Sequence, residues 1–193
     1  MRRYSLASKI RMVLQCFFVF PHCLFFLLSK NKAVIRKDIV RRALYRSYID
    51  TEHIIVSLCL ALLNEKEFRN QFYLRIGFAR HFLNLLLPGI STMDLGHCRN
   101  IGGGLCIIHG FGLVINPDCV IGENCTVLHG VTLGYTDSGT PIIGNNVYIG
   151  CGASVIGGVL IGDNVRIGAG TIVCKDVPDN ATVVGASMRI IQK

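Results

Sequence analysis

The apolar positions change their spacing near residue 93. Beyond it the pattern repeats every six residues. Ile143, Ile149, Val155, Ile161, Ile167 and Val173 form one unbroken β-branched series, with Val147, Ala153, Val159, Val165, Thr171 and Val177 as a second series two positions earlier. Gly follows the first series at Gly144, Gly150, Gly162 and Gly168. Ile115, Ile121, Val127 and Leu133 keep the same step upstream, and the interval from Leu133 to Ile143 holds one hexad plus four residues, assigned to a loop over 135–141. Leu95, Ile101 and Ile107 carry the period again, two residues out of phase with Ile115. Neither a helix nor an array of hairpins repeats at six. A short strand followed by a corner does, and three such units close a coil of about 18 residues, stacked on the next at about 4.8 Å. Gly and Asn at the corners take the turn conformations that β-branched residues avoid. One coil buries too little alone, since each Val or Ile is worth roughly 1.5–3 kcal/mol, so the stack is the folding unit.

Before residue 93 the spacing is helical. Phe68, Phe72, Ile76, Ala79, Leu83 and Leu86 fall on one face, which predicts core packing. Helices are expected over 36–63 and 65–87, the second stopped by Pro88-Gly89. Residues 12–28 are apolar but short of the roughly 20 residues of a spanning helix, and Pro21 and His22 interrupt them. Basic residues flank this stretch on both sides: Arg2, Arg3, Lys9 and Arg11 before it, Lys30, Lys32, Arg36 and Lys37 after it. Two readings stand side by side. One is a pair of short helices broken at Pro21 and buried. The other is a monotopic hairpin dipped into the cytoplasmic leaflet.

Composition sharpens this division into modules 1–93 and 94–193. The first holds 15 of the 20 Lys+Arg and only 2 of the 21 Gly. Its charge suggests an anionic surface, and no zinc-finger spacing or RNA-binding signature speaks for nucleic acid. The 9 Cys are odd in number and lack a CxxC pair, which fits a reducing cytosol with Cys used as a small apolar residue. The expected location is cytoplasmic, peripheral at the inner membrane face.

Four segments carry a resemblance: Ile107-Ile108-His109-Gly110-Phe111-Gly112, His129-Gly130-Val131-Thr132-Leu133-Gly134, Ile167-Gly168-Ala169-Gly170 and Gly185-Ala186-Ser187-Met188-Arg189-Ile190. Over 94–190 the chain resembles the left-handed parallel β-helix of the hexapeptide acyltransferases, among them serine O-acetyltransferase and the capsular and exopolysaccharide O-acetyltransferases. The resemblance implies a homotrimer, with a higher assembly through the helical module as an open alternative. It also implies acetyl-CoA as co-substrate and no metal.

Transfer of an acetyl group to a hydroxyl needs a base, for which an imidazole is suited. The resemblance makes His109 that base and Asp94, fifteen residues earlier, the carboxylate that fixes its tautomer. It places His129 and Ile108 at the acceptor pocket, and Gly134, Thr136, Gly152, Ala153, Ala169, Gly170 and Lys175 along the groove for the carrier. The serine enzyme has an Asp where this chain has Ile108, and an Arg-His pair where it has Gly139-Thr140. Both charge partners of a zwitterion are therefore missing, so a sugar of a surface polysaccharide is the expected acceptor, with L-serine as the alternative. A non-catalytic solenoid is a remote reading. A zinc carbonic anhydrase would need three converging histidines, and His97, His109 and His129 lack the close pair of that family.

Overall fold

A computed structural model describes residues 6–98 and 100–185, with side chains from residue 15 onward except 16 and 99. The expected functions of Arg2 and Arg3 and most of the 185–190 segment lie outside the described residues. The chain forms two compact units, Met1–Ile90 and Ser91–Lys193.

The first unit is helical: α1 (Leu6–Leu28), α2 (Lys32–Arg42), α3 (Ile54–Asn64), α4 (Lys66–Ile76) and, after a 3-10 turn, α5 (Arg80–Leu86). The expected break at Pro21 does not occur, because α1 runs through it. A mid-helix Pro costs about 3 kcal/mol. Burial of Val19, His22 and Phe26 one turn apart, in the core shared with α3 and α4, offsets that cost. The helix expected over 36–63 is instead α2 and α3, separated by turns in which Ser57 Oγ bonds both the N–H and the carbonyl of Asp50. The helix expected over 65–87 bends where Gly77 takes a φ of 65°. The predicted stripe is core: Phe68, Phe72 and Leu83 are buried, and Ile76, Ala79 and Leu86 pack against them. Two buried arginines are paired with acids, and a third, Arg69, donates to the carbonyls of Leu62, Leu63 and Pro88. Arg42 meets Glu65 and Gln71 and stacks on Phe68, while Arg75 binds Asp38 at 3.0 Å. A buried charge left unpaired would be far costlier than these pairs.

The second unit is the parallel β-helix that the hexads imply. Its first face stacks β1 (Cys106–Ile108), β4 (Thr126–Leu128), β7 (Tyr148–Ile149), β10 (Arg166–Ile167) and β12 (Thr182–Val183). The second face holds β2 (Val114–Ile115), β5 (Thr132–Gly134), β8 (Ser154–Ile156) and β11 (Ile172–Val173). The third holds β3 (Val120–Ile121), β6 (Ile142–Ile143) and β9 (Leu160–Ile161). The register stacks like on like: Ile107 on Val127, Val127 on Ile149, Ile149 on Ile167. Both aliphatic series point inward; Ile149, Val155, Ala153 and Val165 are wholly buried. One corner is held by Asn124, Asn146, Asn164 and Asn180, all left-handed with φ of 56° to 61°. Their amides form a ladder, Asn146 donating to Asn164 and Asn164 to Asn180 at 3.1 and 3.0 Å. Cys98, Cys106, Cys119 and Cys125 are buried free thiols, used as small apolar residues.

Candidate active site

The corner between the first and second faces follows one rule. Gly130 N–H donates to Phe111 O, Gly152 N–H to His129 O and Gly170 N–H to Cys151 O, at 2.7 to 2.9 Å. Phe111, His129 and Cys151 are therefore equivalent positions on successive coils. In the second of these coils, Leu128 leads directly to His129. Ile108 pairs with Leu128, yet three steps separate it from Phe111. His109 and Gly110 are thus two residues inserted into the corner. This insertion is the physical origin of the phase break between Ile107 and Ile115.

The insertion puts His109 on display. Its φ is 54°, a left-handed backbone that costs a non-glycine residue roughly 1–2 kcal/mol. Phe111 N–H closes a tight turn on His109 O at 2.6 Å. The imidazole is exposed and makes no hydrogen bond among the described residues. Its ring lies 6.4 Å from that of His129 at 63°, edge to face. Ile108 and Leu128, both half-buried, form an apolar wall beside the two rings.

Asp94 lies on the second face, bridged to Val114. Its carboxylate accepts from Gly96 N–H at 2.7 Å, and no hydrogen bond joins it to His109 among the described residues. Within one chain, then, Asp94 serves its own turn and does not hold the imidazole.

The positions expected along the carrier groove separate into two groups and one exception. Gly152, Ala169 and Gly170 share the corner of His109 and His129 and are exposed. At Gly152 and Gly170 a side chain would project into open space, with φ of 66° at both. Bare backbone there admits close approach of a ligand. Gly134, Thr136 and Lys175 lie at the far end of the second face. Gly134 pairs with Ile156, whose Cδ1 would stand 3.0 Å from an added Cβ. Thr136 belongs to the loop inserted after β5, where its Oγ1 meets Ser138 Oγ at 2.8 Å. Lys175 is exposed just after β11. Ala153 is the exception and a correction: it is fully buried, and its N–H and carbonyl are spent on Gly150 and Thr132. It belongs to the inward series of the hexads, so its side chain lines the core and not a groove.

Sequence spacing passed over two neighbours of the site. Cys151 continues the His129 column, and the phenyl ring of Phe111 is 61% exposed on the insertion. The phase break at residue 109 was their signal. Three of the other four histidines serve elsewhere: His22 is buried between Phe18 O and Tyr73 Oη, each at 3.0 Å, His53 pairs with Asp50 on the surface, and His81 bonds the carbonyl of Phe78.

Comparison with known proteins places these features. The family of bacterial transferase hexapeptides (six repeats) matches residues 140–175, and the hexapeptide repeat of succinyl-transferase matches residues 112–135. A serine acetyltransferase of Helicobacter pylori strain J99 is 36% identical over 164 residues, spanning 83% of this chain and 93% of that protein. One from Synechococcus elongatus is 44% identical over 115 residues, 58% of this chain and 46% of the relative. This chain therefore spans about half the length of that longer relative. The crystal structure of Neisseria gonorrhoeae serine acetyltransferase in complex with serine superposes with a TM-score of 0.65 at 31% identity, covering 80% of this chain and 66% of that one.

These similarities overturn the polysaccharide acceptor. That expectation rested on two missing charge partners, at Ile108 and Gly139-Thr140. Ile108 is a wall residue in the β1–β4 ladder, and its identity says nothing about charges supplied from other positions. Likeness to serine acetyltransferases along most of the chain outweighs two local departures.

Proposed function

The chain belongs to the serine acetyltransferase family of hexapeptide-repeat acyltransferases, and from that premise we propose that it moves the acetyl group of acetyl-CoA to the hydroxyl of L-serine. The observation that carries the proposal is the two-residue insertion that presents His109 in solvent at the corner it shares with His129, Gly152 and Gly170. A solenoid that served only as a scaffold gains nothing from a left-handed histidine there.

In the proposed reaction His109 takes the proton from the serine hydroxyl as its oxygen attacks the thioester carbon. The C–O bond forms and the carbonyl becomes a tetrahedral oxyanion. Collapse breaks the C–S bond, and the imidazolium returns the proton to the departing thiolate, so free CoA and O-acetylserine leave. General-base assistance of this kind is worth about 10²–10⁴ in rate. Bare backbone at Gly152 and Gly170 would let the pantetheine arm lie close along the corner, and Lys175 would meet a phosphate. We assign His129, whose ring lies 6.4 Å from that of the base, to the acceptor side of the pocket. Asp94 keeps its proposed role only if a conformational change or a second subunit brings it to His109. A homotrimer supplies that second subunit.

The test is thiol release from acetyl-CoA by the purified protein, with L-serine and with a panel of sugar nucleotides as acceptors. CoA release that depends on L-serine supports the proposal. No release with L-serine, at any acetyl-CoA concentration that saturates the protein, overturns the acceptor.

A further inference from the structure

The acetyl transfer makes no use of the outer surface of the helical unit, which carries two features that belong together. The first is apolar. Helix α1 has two stripes: Val19, His22 and Phe26 face the core, while Phe17, Phe20, Leu24, Leu27 and Leu28 face outward and are exposed. The 3-10 turn and α5 expose more of the same, with Phe78 91%, Leu85 80% and Phe82 57% accessible. A single cavity is lined by Phe25 and Leu28 of α1, Phe78 and Phe82, and also by Lys30 and His81. Leu28, at the end of the outward stripe, thus meets Phe78 and Phe82 at one cavity and joins the two sets there. Soluble proteins seldom leave contiguous apolar surface of this kind without a partner.

The second feature is charge. Lys30, Lys32 and Arg36, directly after α1, are exposed. The first 37 residues hold eight Lys and Arg and no Asp or Glu. The first acid, Asp38, is buried against Arg75. A second copy of this chain laid on the face would bring cation against cation. A nucleic acid would satisfy the cations and leave the phenylalanines in water. No helix among the described residues is long and apolar enough to cross a membrane. We propose that this face docks on an anionic phospholipid bilayer, with α1 along the interface, Phe20, Phe78 and Leu85 in the acyl boundary and Lys30, Lys32 and Arg36 among the headgroups. Weak apolar insertion and weak electrostatic attraction each fail to anchor alone, and together they suffice.

The chain has no tryptophan, so Phe20→Trp and Phe78→Trp each install a single reporter at an exposed site. With phosphatidylserine–phosphatidylcholine vesicles, both indoles should shift to shorter wavelength and the protein should sediment with the lipid. Pure phosphatidylcholine should do neither, and high salt should release the protein. Replacing Lys30, Lys32 and Arg36 together by Gln should weaken binding about 100-fold at low salt, on the order of five-fold for each cation. Phe78→Glu, on an open surface, should also release it while acetyl transfer and oligomeric mass stay as they were. The proposal fails if the full chain ignores phosphatidylserine vesicles at low salt. It fails equally if the indole shifts appear without lipid and grow with protein concentration, which would make the face a contact between copies.

Discussion

His109 combines two properties that a packing residue avoids, a left-handed backbone and an imidazole in solvent. The candidate base was legible in sequence from its flanking glycines and from the family segment it sits in. Its exposure was not, because that depends on which residues the neighbouring coils place around it. Replacing it by Ala should lower turnover by about 10²–10⁴, with the fold and CoA affinity nearly intact, as read from steady-state rates and CoA titration. His22 shows the opposite use of the same side chain. Burial pushes its imidazole down to about 4, against an ordinary value near 6.5. Between those values the unfolded chain binds a proton that the folded chain refuses, so stability falls as pH drops from about 6.5 toward 4 and is level above that window. The loss from this one group is about 3 kcal/mol across the window. Denaturant unfolding of the protein and of His22→Gln at several pH values checks this, since the variant should lack that share of the slope.

At the scale of elements, the β-helix was readable because its constraint is local and repeated. A residue that points inward in one coil points inward in the next, so every sixth position must be apolar and small enough to stack. The same arithmetic located both places where the coil departs from its period. The ten-residue step after Leu133 is the loop that carries Thr136, and the eight-residue step after Ile107 is the insertion of His109 and Gly110. Deleting His109 and Gly110 together should restore the six-residue phase. We expect that variant to keep the β-sheet signal in circular dichroism and a thermal midpoint at or above that of the parent, with CoA release abolished. A collapsed fold would show that the insertion is structural. The helices were less legible. Turns between Ala43 and His53 divide the segment expected as one helix, and no Pro or Gly marks them. Conversely Pro21, a strong local breaker, is overridden by the burial of Val19, His22 and Phe26.

At the scale of the whole molecule, the candidate catalytic corner is exposed within one chain. His109 has no hydrogen-bonding partner there among the described residues, and Asp94 is engaged with Gly96. A neighbouring subunit would bury the second face and complete the site, so the protein should sediment as a species near three times 21.2 kDa, or a multiple of that mass. A monomer with full activity would refute the shared site. The sequence by itself determined the period of six, hence the stacked coils and the inward series, because these follow from residue type and spacing along the chain; the candidate base came from the family segment around His109. Only the tertiary structure decided that Ala153 belongs to the core, that Cys151 shares the column of His129, that the Asp94 carboxylate turns to Gly96, and that α1 is one helix with a buried stripe and an exposed one. The Asp94 bond is local, a turn closed two residues on; the other three depend on contacts between residues a coil or several helices apart. Those long-range contacts are set by register and burial, and no residue's immediate neighbours in the chain encode them.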